Sequence, residues 1–223
     1  MAGLQLVTDA ADFHVSLTRA TDHLRLSDQH DDTLVRSLII AATSYVEEMT
    51  QRSLISRTYR LFIDYVNETD YPLWEGTRVG PELAYRQNYI ETPRGPLVSV
   101  THIKSYDDSD SATTFDSAKY YVDTVNTPPR VVLRDGQSWP TGLRAANGLE
   151  IEYVAGYGSN DTDVPEPLRL AILQLVTFMY EHRGDLDAGA NYSPPSVVNS
   201  LCGPYKVLTI GGTPFNNIVQ KVW

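Results

Sequence analysis

The chain has 223 residues, a formal net charge of -10, 42% apolar residues and 21% charged residues, a size that supports one good core or two small subdomains sharing one. The acidic balance, with no cluster of Lys and Arg, excludes a protein that coats itself along nucleic-acid phosphates, and the single cysteine, Cys202, excludes an internal disulfide. No stretch approaches the roughly 20 apolar residues of a membrane span, and MAGLQLVTDAADFHV lacks the basic start and apolar run of a signal peptide, so the expectation is a protein made and used in solution.

The N-terminal part, residues 1–56, reads as helical. Ser16 can cap a short helix with Leu17, Ala20 and Leu24 on one face. After LSDQHDD, Asp31 or Asp32 can cap a longer one. Val35, Leu38, Ile39, Ala42, Tyr45, Val46 and Met49 recur there at i, i+3, i+4, i+7 spacing. Leu34, Ile40 and Ala41 widen that stripe, so this helix is expected to pack on two sides, one of which could be another subunit.

From Arg57 the pattern turns to β. RTYRLFIDYV is β-branched and aromatic. Residues 67–88 read as an extended loop carrying Tyr71, Trp74 and Tyr85. LVSVTHIKSYD, KYYVDTV, RVVLRD and LEIEYVAGY follow as strands, separated by SDSATTFDS, NTPP and GQSWPTGLRAANG. Antiparallel pairing into a compact sheet or small sandwich over residues 57–160 is the natural outcome.

A last long helix is expected from about Pro165, with Asp163 as its cap, Glu166 favouring the positive end of the dipole, and Gly184 as its stop. Leu168, Ala171, Ile172, Leu175, Val176 and Met179 form one face, and Leu170, Leu173, Phe178 and Tyr180 a second. Residues 161–206 thus make a C-terminal helical part that packs with the N-terminal helices. Residues 207–223 form a tail whose Phe215, Ile218, Val219, Val222 and Trp223 would be poorly solvated if left free. It either returns to its own core as a strand or docks on a partner. The fold class is α+β: a helical frame, an inserted antiparallel β subdomain and an extended C-terminal tail.

Motifs for chemistry are few. YVAGYGSNDTDVPEPLRL has a G-x-G after a strand and before a helix, but Asp161 stands where a dinucleotide loop needs its third glycine. VPEPL has no P-loop lysine, and Asp161 and Asp163 would repel phosphate. Gly156 and Gly158 read instead as a sharp turn out of the sheet. In DDSDS, Ala112 and Ala118 stand where a calcium loop wants glycine and glutamate. No two of His14, His23, His30, His102 and His182 have the spacing of a helical zinc site. There is no nucleophile elbow, and the RGD at Arg183–Asp185 reads as a helix end. Cys202 reads as a small buried apolar residue. No catalytic residue, cofactor or metal is expected.

In order, the segments SLTRATDHLRL, DDTLVRSLIIAATSYVEEMTQRSL, PRGPLVSVTHIKSYD, YYVDTVNTPPRVVLRDGQSWP, NGLEIEYVAGYG, VPEPLRLAILQLVTFMYEHRGD and VVNSLCGPYKV resemble the head-to-tail connector, or adaptor, proteins of long-tailed bacteriophages and gene transfer particles. The resemblance runs from Val15 to Val207. The loop around Trp74 and the tail after Val207 depart from it. It implies a structural, non-enzymatic virion protein of the particle neck, assembled in the host cytoplasm. Such subunits form a head-to-tail ring of about twelve. The ring would join the portal protein to the stopper or tail-terminator protein and extend the channel through which genomic DNA passes without specific binding. Acidic residues on a channel wall would repel the duplex and let it slide. Phe215, Ile218, Val219, Val222 and Trp223 are then expected to bind the portal or a neighbouring subunit, and Tyr71, Trp74 and Tyr85 a neck protein or subunit. Two other readings stay open: a small β-sandwich carbohydrate-binding protein or hydrolase, with Tyr71, Trp74 and Tyr85 as a stacking platform, and a tail-completion protein of the same particles.

Overall fold

The computed structural model describes residues 2–9, 15–26, 30–64, 88–183 and 194–207. Among these, one compact unit comprises residues 15–56 with 156–207, and the other residues 2–9 with the described part of 57–155.

The first unit is helical. Helix α1 spans Leu17–Leu24, α2 Asp32–Thr50, α3 Glu166–Glu181 and α4 Ser196–Cys202. The Ser16 hydroxyl accepts from the Arg19 N–H and so satisfies one of the free donors at the start of α1. Asp31 does hold the N-cap position of α2, yet its carboxylate makes no cap bond and takes the Tyr180 hydroxyl of α3 instead. Asp163 is not the cap of α3. It closes a 3-10 turn, where its carboxylate accepts from the Asn160 N–H at 3.0 Å. Pro165 precedes α3 as an extended residue, and Glu166, in the first turn, pairs with Arg19 of α1 and with Arg169.

The 3.6-residue period decides what each helix buries. On α2 it is Val35, Ile39, Ala42 and Val46, with Leu38 and Met49 partly covered. Tyr45, expected in that stripe, lies at its edge beside Leu38 and Met49 and is 38% exposed. On α3 the first expected face is buried apart from the half-buried Met179, and Leu173 of the second face is buried with it. Each Leu or Ile fully withdrawn from water contributes about 2 kcal/mol. Glu47, buried at the end of α2, turns its carboxylate to the Leu54 N–H at 2.9 Å, which meets the requirement that a buried charge be hydrogen-bonded.

The second unit is an antiparallel β sandwich. Its strands are β1 (Ala2–Thr8), β2 (Arg57–Ile63), β3 (Tyr89–Glu91), β4 (Leu97–Tyr106), β5 (Ala112–Thr114), β6 (Tyr120–Asp123), β7 (Arg130–Leu133) and β8 (Leu149–Ala155). A five-stranded sheet runs β1-β2-β8-β4-β5, and a three-stranded sheet runs β3-β7-β6. Alternate residues of both sheets, among them Leu61, Ile103, Val131, Ile151 and Tyr153, share one core with Trp139 and Phe115. The Phe115 and Trp139 rings lie 5.7 Å apart.

Three elements differ from the sequence reading. Residues 2–8, assigned to the N-terminal helical part, form an edge strand paired along β2 from Ala2↔Ile63 to Thr8↔Thr58. The alternation of GLQLV is too short to stand out beside the helical pattern that follows. Within SDSATTFDS, expected as a turn, Ala112–Thr114 pair with β4. Tyr89–Glu91 pair with β7 just beyond the expected loop.

Candidate assembly surface

The outer face of the five-stranded sheet carries a polar network set by register. Arg60 of β2 lies opposite Glu152 of β8, and His102 of β4 lies opposite the same Glu152. Glu150, two residues along and thus on the same face, is only 4% exposed. Arg60 Nε donates to Glu152 Oε2 at 2.7 Å and lies 3.6 Å from Glu150 Oε1. The Tyr106 hydroxyl donates to Glu150 Oε2 at 2.9 Å. His102 Nε2 lies 3.0 Å from Glu150 Oε1, so against an ionised carboxylate that nitrogen carries the proton. Burial pushes the Glu150 carboxyl up, but the His102 and Tyr106 hydrogen bonds and the Arg60 charge together hold it below the ordinary glutamate value.

This cluster is also where a cation could be expected. His102, Glu150 and Glu152 each offer a ligand atom, and these lie within 4.8 Å of one another. The Arg60 guanidinium already stands beside both carboxylates as their counter-charge, so the donor set fits an internal salt bridge better than a metal. The arrangement clamps β2, β8 and β4 together.

The small sheet has a different outer face. Tyr89, Val132 and Tyr121 stand in one row across β3, β7 and β6. Arg130 lies over the Tyr89 ring at 4.9 Å and Arg134 over the Tyr121 ring at 5.8 Å. Arg130 is ion-paired with Asp123 at 2.9 Å, which with lesser hydrogen bonds holds that carboxyl below the usual aspartate range. Asn88 and Asp135 complete an open groove around these side chains. A guanidinium thus stands over one face of each of these two rings, and Tyr121 stays 47% exposed.

Further exposed features lie on the β4–β5 hairpin and on α2. Residues 107–114, the β4–β5 hairpin, are all exposed, and β5 is exposed on both faces. On α2, Ile40 is 56% and Tyr45 38% exposed. Between them Ser37 and Ser44 turn their hydroxyls back to the Thr33 and Ile40 carbonyls, leaving a surface of small groups. Cys202 is fully buried in the helical core, and burial pushes its thiol up. After α4 the chain passes the end of α2, where the Val207 N–H donates to the Thr50 carbonyl at 3.1 Å and Arg52 Nε to the Tyr205 carbonyl at 2.6 Å.

The residues singled out from sequence, Tyr71, Trp74 and Tyr85 in the loop and Phe215, Ile218, Val219, Val222 and Trp223 in the tail, all lie outside the described residues. Sequence reasoning missed the Arg60–His102–Glu150–Glu152 network. Its signal was the period-2 placement of polar residues in RTYRLFI, LVSVTHIKSY and LEIEYVA, which becomes a cluster only once the strand order is known. It also missed the Tyr89–Val132–Tyr121 face, because β3 was not expected.

No protein-family model matches the chain, and no curated protein does. Solved structures do. A chain from the neck of an empty gene transfer agent (GTA) particle computed with C6 symmetry is 25% identical with a TM-score of 0.73, over 95% of this chain and 99% of that one. A chain from the virion of a native GTA particle is 22% identical with a TM-score of 0.70, over 94% and 98%. One from the neck of a native GTA particle computed with C12 symmetry is 22% identical with a TM-score of 0.69, over 95% and 99%. Nearly end to end, then, this chain has the fold of a component of gene transfer agent particles, one that is found in their necks.

Proposed function

We propose that the protein is a structural subunit of the neck of a phage or gene transfer particle: an adaptor whose ring joins the portal to the stopper or tail-terminator and extends the DNA channel. The observation that carries this is the likeness at a TM-score of 0.73 to a chain from a GTA neck, with 95% of one chain and 99% of the other covered. Whole-length agreement means that no large domain separates the two folds. The ordered sequence segments agree with it independently, and the symmetric necks of the similar structures are the setting in which a head-to-tail ring of about twelve copies would form.

The described surface suits such a role. Its exposed features are a small-residue helix face, a tyrosine- and arginine-bearing sheet face and a projecting hairpin, which are features of protein contact. The tail with Phe215, Ile218, Val219, Val222 and Trp223 would anchor the subunit to the portal or to the next subunit, leaving from beside Thr50. Tyr71, Trp74 and Tyr85 would meet the stopper or an adjacent subunit. Assembly would take place in the host cytoplasm and the finished ring would lie in the virion neck.

The test is direct. The purified protein is mixed with the portal of its own particle and imaged by electron microscopy. A ring of this chain seated on the portal is the expected result; a protein that never associates with portal at micromolar concentration overturns the reading.

A further inference from the structure

The β6–β7 ladder continues one step past its last strand pair, because the Arg134 N–H donates to the Lys119 carbonyl at 2.9 Å. Two cations therefore stand opposite each other at this end of the small sheet, an arrangement that like charges make unfavourable. Lys119 Nζ rests over the Phe115 ring at 5.5 Å and Arg134 over the Tyr121 ring, and neither forms an ion pair among the described residues. Arg130, on the same face, is already balanced by Asp123. The exposed Tyr121 (47%) lies beside this pair. Asp135 at the groove rim forms no ion pair with either cation among the described residues.

The same unit offers an anion elsewhere. At the tip of the β4–β5 hairpin, Asp107 accepts the Ser109 and Ser111 N–H groups at 2.9 Å each, and Asp110 is paired with Arg144 at 2.8 Å. Asp108 between them is exposed and has no cationic partner among the described residues. The hairpin is held stiff by these bonds and projects with both faces of β5 in solvent.

We propose that the hairpin tip of one copy docks on the Tyr89–Val132–Tyr121 face of the next, with Asp108 set against Lys119 and Arg134. A closed ring needs two different, mutually complementary patches on each subunit, and this unit carries such a pair: among the described residues, Asp108 has no ion pair with a cation, and Lys119 and Arg134 have none with a carboxylate. Nucleic acid is the less suitable occupant, since a chain of net charge -10 repels phosphate as a whole. The inference rests on the ring reading and names one of its lateral contacts.

Two single variants, Ser109→Cys at the hairpin and Asp135→Cys at the groove rim, test it. Cys202 is buried and stays silent. Mixed at high protein concentration under mild oxidation, they are expected to form a disulfide-linked heterodimer, while each alone stays monomeric. Adding Arg134→Glu to the groove variant should lower the yield about tenfold, the scale of a like-charge pair at an interface. Combining it with Asp108→Lys on the hairpin variant should restore the yield. Absence of the heterodimer overturns the contact, as does a yield indifferent to both reversals. Duplex DNA binding that Arg134→Glu abolishes, without any heterodimer, assigns the groove to phosphate and also overturns it. If electron microscopy shows portal-bound rings in which no heterodimer forms, the contact fails while the neck reading stands.

Discussion

Gly156 and Ser56 touch through their backbones: a Cβ built on Gly156 would lie 2.4 Å from the Ser56 nitrogen, and Gly156 has φ = 144°. The Ser56 N–H donates to the Gly158 carbonyl at 2.8 Å and the Tyr157 N–H to the Leu54 carbonyl at 3.0 Å, so two chain segments are held at a distance that only glycine permits. Because the obstacle is backbone, it cannot rotate away. Gly156→Ala is expected to cost about 3 kcal/mol or more, combining strain at that φ with overpacking. Chemical denaturation of the purified variant checks it; an unchanged midpoint would contradict the close approach.

Glu150 makes the acid stability of the sandwich depend on pH in a defined direction. Its folded-state pKa is depressed, so its contribution is fully present at and above the ordinary glutamate value and is lost as pH falls through the lower folded value. Glu150→Gln keeps the shape but removes the charge that Arg60 and His102 face. The expected loss is about 1 to 2 kcal/mol at neutral pH, from the weakened His102 and Tyr106 hydrogen bonds, while Arg60, with 37% of its side chain exposed, keeps its bond to Glu152. The variant should also lose less stability on acidification than the parent. Thermal midpoints recorded from neutral to acid pH distinguish the two curves.

Cys202 reports on the helical unit. It is fully buried with a thiol shifted up by that burial, so little thiolate is available and little of it is reachable. Reaction with an aromatic disulfide reagent at pH 8 is expected to be slow in buffer, by about a hundredfold or more against the denatured chain, and to follow opening of the core. A fast reaction in native buffer would show that α4 is not seated as described.

Truncation after Val207 separates fold from assembly. The Val207–Thr50 and Arg52–Tyr205 bonds remain in the shortened chain, so its unfolding free energy should stay within about 1 kcal/mol of the parent. Portal binding, if the tail is the anchor, should fall below detection. Normal portal binding by the truncated chain refutes that role.

Trp74→Ala tests the loop in the same way. A well-packed interface tryptophan costs upwards of about 2 kcal/mol when truncated, so stopper binding should weaken at least about thirtyfold. Unaltered stopper binding would remove Trp74 from the contact.

Much of this architecture was legible along the chain because periodicity is a local property. The spacing of Val35, Ile39, Ala42 and Val46 marks a helix face whatever lies opposite it, and RTYRLFI or LEIEYVA alternates as a half-buried strand must. The glycines of AGYG announced a sharp turn, and the lone Cys202 a buried position. Other features depend on which segments meet. β1 is a strand only because β2 offers an edge to the N-terminus. Asp31 gave up a cap for Tyr180 because α3 lies beside α2. Arg60, His102, Glu150 and Glu152 are 42 to 92 positions apart across the strands, and the facing of Lys119 and Arg134 follows from a ladder whose register no single segment encodes. Sequence by itself determined the elements and their buried faces, through side-chain period and turn chemistry. Only tertiary structure decided the charge clusters and contact surfaces, because those arise from strand order and register, which are set by long-range pairing.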